Sequence, residues 1–132
     1  VYIDDYAHHP TEINAVYQAV RELYPNQKTM AIFQPHLFSR THDFADDFAA
    51  SLAQFDEVIL LEIYPARELP IEGVTSSWLL SKINNQNKKL VSKNQLFTEL
   101  QHTNATVYVT IGAGDIGEMV GAIKNKLYEK IS

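Results

Sequence analysis

Asp4-Asp5-Tyr6-Ala7-His8-His9-Pro10 packs two carboxylates, a phenol and two imidazoles into consecutive positions. Groups of these types can accept hydrogen bonds from ribose hydroxyls, contact a base or a polar substrate, and exchange a proton near neutral pH. A metal site inside this segment is a weaker reading, because adjacent histidines rarely converge on one ion. A plainer reading lets Asp4 or Asp5 end a strand and His9 with Pro10 open a helix, which leaves Tyr6 and His8 without a structural purpose. A second group follows in Gln34-Pro35-His36-Leu37-Phe38-Ser39-Arg40-Thr41. Arg40 can hold a carboxylate or phosphate through its planar fork. Spacing alone equally allows a solvated arginine in a first helical turn and an ordinary loop histidine.

A third candidate is Gly112-Ala113-Gly114-Asp115-Ile116-Gly117, a literal G-x-G-x-x-G. A dinucleotide fingerprint belongs at the first strand-to-helix turn of its unit, with an acidic residue about 20 positions on. Here the pattern falls at the last such turn, so a tight turn with close backbone packing is expected instead. Neither a G-x-x-x-x-G-K-[ST] phosphate loop nor a G-x-S-x-G elbow occurs.

The elements that must position these residues follow from apolar period. Short apolar runs at residues 1–3, 29–33, 58–63, 90–91 and 106–111 read as strands. Pro10 opens a helix with Ile13, Val16, Tyr17, Val20 and Leu23 as its stripe, and a second helix runs from about Thr41 with Phe44, Phe48 and Leu52 on one face. Residues 64–75 read as a long loop, Ser76 or Ser77 as the cap of a helix over 78–83, and residues 96–100 as a further helix. Ile116, Val120, Ile123, Leu127 and Ile131 line a terminal helix. Strands alternating with helices imply a Rossmann-like, doubly wound, mainly parallel sheet covered on both faces. Ligands of such sheets bind at the strands' carboxyl ends, where the three polar segments and Tyr64-Pro65-Ala66-Arg67-Glu68 all fall.

The 132 residues, 45% of them apolar, suit one domain over residues 1–132. Eleven basic against sixteen acidic residues, a formal charge of −5, leave no footprint for general nucleic-acid binding. The lack of cysteine excludes disulfides, thiolate metal sites and thiol nucleophiles, and cytoplasm is the expected compartment. No apolar run reaches the ~20 residues of a membrane span. The sequence opens on Val1 rather than Met, from which a piece of a longer chain is expected.

Asp4-Asp5-Tyr6-Ala7-His8-His9-Pro10-Thr11-Glu12 resembles the signature of the C-terminal domain of Mur ligases, and Phe33-Gln34-Pro35-His36 with Ser39-Arg40-Thr41 resembles that family's second motif. Ile63-Tyr64-Pro65-Ala66 and Gly112-Ala113-Gly114 are similar to further family segments, so the resemblance spans essentially the whole chain. The Phe-Gln-Pro-His segment favours the alanine-adding branch over the branch that attaches recycled tripeptide. What the resemblance implies is a three-domain, ATP- and Mg2+-dependent enzyme whose N-terminal domain holds the uridine nucleotide and whose central domain carries the phosphate loop and the metal. Its substrates would be UDP-N-acetylmuramate and L-alanine, joined through an acyl phosphate. Asp5 would contact the ATP ribose with His9 near the nucleotide, while Tyr6, His8, His36 and Arg40 would face the alanine, His8 or His36 accepting its amine proton. Leu37 departs from the pattern, since many members carry an arginine there, so Arg40 acts without it or Arg67 compensates. No metal site is expected in this domain, nor turnover by the domain alone. A stand-alone nucleotide-binding module is the reading from outside the family.

Overall fold

The computed structural model describes the backbone of residues 1–131 and the side chains of residues 1–129. Five strands, β1 (Tyr2–Asp5), β2 (Thr29–Phe33), β3 (Glu57–Leu60), β4 (Lys88–Leu90) and β5 (Val107–Ile111), pair in parallel in the order β1-β5-β2-β3-β4. They alternate with α1 (Pro10–Leu23), α2 (Phe38–Asp43), α3 (Ala45–Ala53), α4 (Ser76–Lys82), α5 (Lys93–His102) and α6 (Val120–Ile131), the last preceded by a 3-10 turn at Asp115–Met119. This is the doubly wound sheet that the alternation predicts.

Successive strand side chains point to opposite faces, so each central strand feeds two cores. Ala31, Phe33, Val58, Leu60, Val107, Val109 and Ile111 join Ile13, Val20, Phe48, Leu52 and Leu79 on the face covered by α1, α3 and α4. Met30, Ile32, Ile59, Leu61 and Tyr108 join Leu96, Leu100, Ile116, Ile123 and Leu127 on the face covered by α5 and α6. β2 and β5 are buried along their whole length, which explains their continuous apolar runs.

Local chemistry moves several expected boundaries. The single helix from about Thr41 is two helices, because Phe44 leaves helical geometry (φ −118°, ψ 20°) between α2 and α3. Thr41 is buried, and its hydroxyl donates to the Leu37 carbonyl (2.7 Å), a back-bond that satisfies it away from water. Leu23 is 69% exposed rather than part of the α1 stripe; Tyr24, one residue later, packs on the core instead. Thr75 caps α4, its hydroxyl accepting the Trp78 N–H (3.0 Å), whereas Ser76 is buried and donates to the Leu61 carbonyl (2.6 Å). Ser92 and Gln95 form a reciprocal capping box that starts α5 at Lys93, earlier than the apolar positions alone predict. Ile116 precedes α6, lying in the 3-10 turn, and the side chain of Ile131 lies outside the described residues.

Phe48 is 1% exposed and its ring meets Phe33 at 5.3 Å between centroids, joining α3 to the central strand. Phe48→Ala should cost about 3–5 kcal/mol, transfer plus cavity terms together. Urea unfolding of this chain measures it; a loss under 1 kcal/mol would mean the core closes over the gap.

Candidate functional site

The sheet register builds the site. Asp5 pairs with Ile111, Ile111 with Phe33, and Phe33 with Leu60, so four strands end in one row. The loops leaving that row bring together His8, His36, Arg40 and Tyr64. The His8 and His36 rings lie 6.3 Å apart between centroids, inclined at 71°. Tyr64 stacks on His36 at 5.7 Å and 12°, and an isolated parallel bridge joins the same two residues through their backbones. Arg40 donates from Nη1 to His36 Nδ1 (3.1 Å). Tyr6, 71% exposed, stands edge-on to His8 at 6.4 Å.

Each side chain is held by its own local chemistry. His9 is the N-cap of α1, its Nδ1 accepting the Thr11 N–H (3.3 Å) ahead of Pro10, while its ring packs on Phe44 at 4.8 Å. Asp5 accepts the Ala7 N–H (2.8 Å), which turns the chain away from the sheet. Asp4 serves the fold: Tyr2 and Thr110 bond to each other, and Thr110 donates to Asp4 (2.7 Å). Burial raises the Tyr2 phenol above its ordinary range, and the Asp4 charge adds to that. Glu68 reaches from the loop after β3 to the start of α2, accepting the Ser39 N–H (3.0 Å) and the Ser39 hydroxyl. Those Ser39 bonds hold the Glu68 carboxyl below its usual value. Leu37, the N-cap residue of α2, has φ 73° and no side-chain cap, so Glu68 supplies the missing acceptor from across the rim.

Around His36 the electrostatics favour the neutral ring. Burial lowers its pKa first, then the Arg40 guanidinium and His8, against a smaller opposing pull from Glu68. Among the described residues no three His, Asp or Glu side chains form a group able to hold a metal ion.

The glycine turn acts as packing, as its position in the chain predicts. A Cβ on Gly114 would lie 2.7 Å from Gln34 Oε1 and from Tyr64, and one on Gly112, whose φ is 154°, would lie 2.9 Å from Ile116. Gln34 is buried, accepts the Ile116 N–H (2.9 Å) at Oε1, and donates to Asp115. A backbone donor that a phosphate loop would offer to a ligand is thus spent on a side chain. Burial alone would raise the Asp115 carboxyl; hydrogen bonds from Lys93 and Gln34 outweigh it and hold the group below the usual range.

Three residues of the site carry no role from sequence reasoning: Tyr64, Glu68 and Glu12. Glu12 accepts the His8 backbone N–H (3.2 Å) and lies 3.8 Å from His8 Nδ1. Its position four residues from His8 and three from the cap is the signal that could have found it. Arg67 is exposed on the loop that Glu68 anchors.

Such a sheet, with imidazoles and a guanidinium gathered on its carboxyl edge, where sheets of this kind take their ligands, defines an α/β domain of Rossmann-like type. Residues 1–124 match the model of the Mur ligase glutamate ligase domain, and the chain belongs to that family. It is 74% identical over 130 residues to UDP-N-acetylmuramate–L-alanine ligase from Flavobacterium psychrophilum, an overlap of 98% of this chain and 29% of that protein. The chain therefore spans about 29% of the length of such a relative. Among solved structures, a murein peptide ligase from Psychrobacter arcticus superposes with TM-score 0.70 at 18% identity, over 96% of this chain and 27% of that one. A domain from Haemophilus ducreyi, described as a UDP-N-acetylmuramate:L-alanyl-γ-D-glutamyl-meso-diaminopimelate ligase, superposes with TM-score 0.61 at 24% identity, over 98% and 89% of the two chains. Both likenesses establish the fold.

Because folded His36 binds a proton less readily than the unfolded chain, its contribution to stability is present above the ordinary imidazole range near about 6.5 and is lost as pH falls through its lowered folded value. Arg40→Met removes the nearest cation and should move the His36 titration upward. Imidazole NMR shifts followed against pH read this directly, and an unmoved titration would take Arg40 away from His36.

Proposed function

We propose that this chain is the amino-acid-binding C-terminal domain of a cytoplasmic UDP-N-acetylmuramate:L-alanine ligase, which joins L-alanine to the lactyl carboxylate of UDP-N-acetylmuramate in peptidoglycan precursor synthesis. The observation that carries the reading is the 74% identity, across 98% of the chain, to a ligase of that name, together with the cationic and imidazole rim. No helix among the described residues is long and apolar enough to cross a membrane.

On this reading the N-terminal and central domains of the longer chain bind the uridine nucleotide, ATP and Mg2+, and ATP supplies the phosphoryl group that activates the lactyl carboxylate as an acyl phosphate. This domain supplies the amine. Arg40 keeps guanidinium N–H groups beyond the one given to His36, and these pair with the alanine carboxylate. Tyr6, His8 and His36 surround the amino acid and aim its amine. Asp5 contacts the ATP ribose and His9 lies near the nucleotide, each already fixed by a backbone N–H bond. Closure of the domain shields the acyl phosphate from water.

Phosphate release by the full-length parent with ATP, Mg2+ and UDP-N-acetylmuramate should depend on L-alanine. Dependence instead on the tripeptide L-alanyl-γ-D-glutamyl-meso-diaminopimelate would move the domain to the tripeptide ligase, and dependence on neither would favour a nucleotide-binding module. The 132-residue chain alone should release none. In the parent, Arg40→Ala should raise KM for L-alanine by about tenfold or more, the loss of roughly 1.5–3 kcal/mol of charge-assisted hydrogen bonding, with KM for ATP little changed. Equal effects on both constants would remove Arg40 from the alanine side.

A further inference from the structure

The histidines of this rim differ in one respect that their sequence does not reveal, which nitrogen carries the proton. Arg40 can only donate, so His36 Nδ1 accepts (3.1 Å), and its neutral ring carries its proton on Nε2. The Thr11 N–H likewise occupies His9 Nδ1 (3.3 Å), so His9 also presents Nε2–H. His8 is the opposite case. Its Nδ1 faces the Tyr6 carbonyl (3.3 Å), which can only accept, so Nδ1 bears the proton and Nε2 is left with a bare lone pair. The Glu12 carboxylate reinforces that choice, with Oε1 3.8 Å from His8 Nδ1 and accepting the His8 backbone N–H (3.2 Å). A carboxylate on the Nδ1 side fixes which ring nitrogen of an imidazole keeps the proton.

We propose that His8 accepts the proton of the attacking amine through Nε2, that Glu12 is its positioning residue, and that His36 acts as an Nε2–H donor to an oxygen of the reacting groups rather than as a base. This rests on the ligase reading above. The step balances as follows: the alanine ammonium gives one proton to His8 Nε2, and its freed lone pair forms the C–N bond at the acyl carbon. The C–O bond to phosphate breaks with its electron pair on phosphate. A second proton leaves nitrogen as the amide forms and stays on the departing phosphate, while His8 returns the first to solvent. His36 is unsuited to the acceptor role because its only bare nitrogen is engaged by Arg40, and burial, then the same cation, lower its basicity.

Long-range proton–nitrogen NMR correlation of this 132-residue chain, uniformly labelled with nitrogen-15 and held at a pH where the imidazoles are neutral, reads the tautomers without any catalysis. His8 should show a protonated Nδ1, with His9 and His36 showing a protonated Nε2; a protonated Nε2 on His8 overturns the proposal. Glu12→Gln keeps an acceptor for the His8 backbone, so the fold should survive, and the His8 signals should shift toward the Nε2–H form. In the full-length parent, His8→Gln should lower kcat by about 100-fold or more, the range of general-base catalysis, with KM for ATP unchanged. Glu12→Gln should lower kcat by less than His8→Gln does. An unaltered His8 tautomer and unaltered kcat in Glu12→Gln would remove Glu12 from the scheme, and a kcat loss confined to His36→Gln would reverse the roles of the two rings. A parent that releases no phosphate with L-alanine defeats the ligase reading, whereas the tautomers remain measurable either way.

Discussion

The pairing of β5 between β1 and β2 is the constraint on which the site depends. Without it the chain order would put the loop after Asp5 directly beside the loop after Phe33. With it, Ile111 sits between them in register, and the turn that follows is tied to both neighbours, the Gly112 N–H donating to the Asp5 carbonyl (3.1 Å) and the Gln34 N–H to the Ile111 carbonyl (3.0 Å). Two glycines make this possible, because Gln34 and Tyr64 come so close that a Cβ on Gly114 would collide with either. Gln34 then ties the end of β2 to the turn after β5 through Ile116 and Asp115, and Tyr64 carries the contact onward to the His36 ring. Placement of His36 therefore depends on a packed, fully bonded floor beneath the rim.

The same physics explains why the glycine pattern misleads when read as a motif. Its spacing matches a dinucleotide fingerprint, and its surroundings do not. Gln34 is 3% exposed and uses the Ile116 amide for itself, and Asp115 puts a carboxylate, paired with Lys93, where an anion would have to approach. A G-x-G turn can satisfy close packing or bind an anion, and which it does is decided by the residues pointed at its amides.

How much was legible in the sequence varies with the range of the determining interaction. The alternation of strands and helices along the chain, the parallel sheet, the start of α1 and the polar rim follow from period and punctuation, which are local signals. The start of α2 at Phe38, the cap at Thr75 and the exposure of Leu23 do not, since they depend on Thr41 bonding back to Leu37, Ser76 reaching Leu61, and Tyr24 taking the core position. For the site, the residue types were legible and their partners were not. Tyr6, His8, His36 and Arg40 could be singled out by type, but the Arg40–His36 bond, the Tyr64 stack and the Glu12 carboxylate behind His8 need the folded chain.

Leu37 shows how such partners alter the meaning of a substitution. Where the sequence resemblance leads one to expect a second arginine, this chain has an apolar side chain on a backbone with φ 73° and ψ 138°, a conformation that costs a non-glycine residue about 1–3 kcal/mol. The strain is held in place from both sides. The Leu37 N–H donates to the Tyr64 carbonyl (2.8 Å), and its own carbonyl accepts both the Thr41 hydroxyl (2.7 Å) and the Thr41 N–H (3.2 Å). Those bonds belong to the backbone and to Thr41, so they would hold the same geometry under an arginine. The position is thus set by the loop rather than by its side chain, which leaves the side chain free to vary in charge. Arg40, fixed through His36, then carries the cationic part of the rim, and the loop anchored by Glu68 keeps Arg67 outside that bonded network. One guanidinium oriented by an imidazole nitrogen still has N–H groups left over, so a second arginine at position 37 is not needed to keep a cation fixed at this edge.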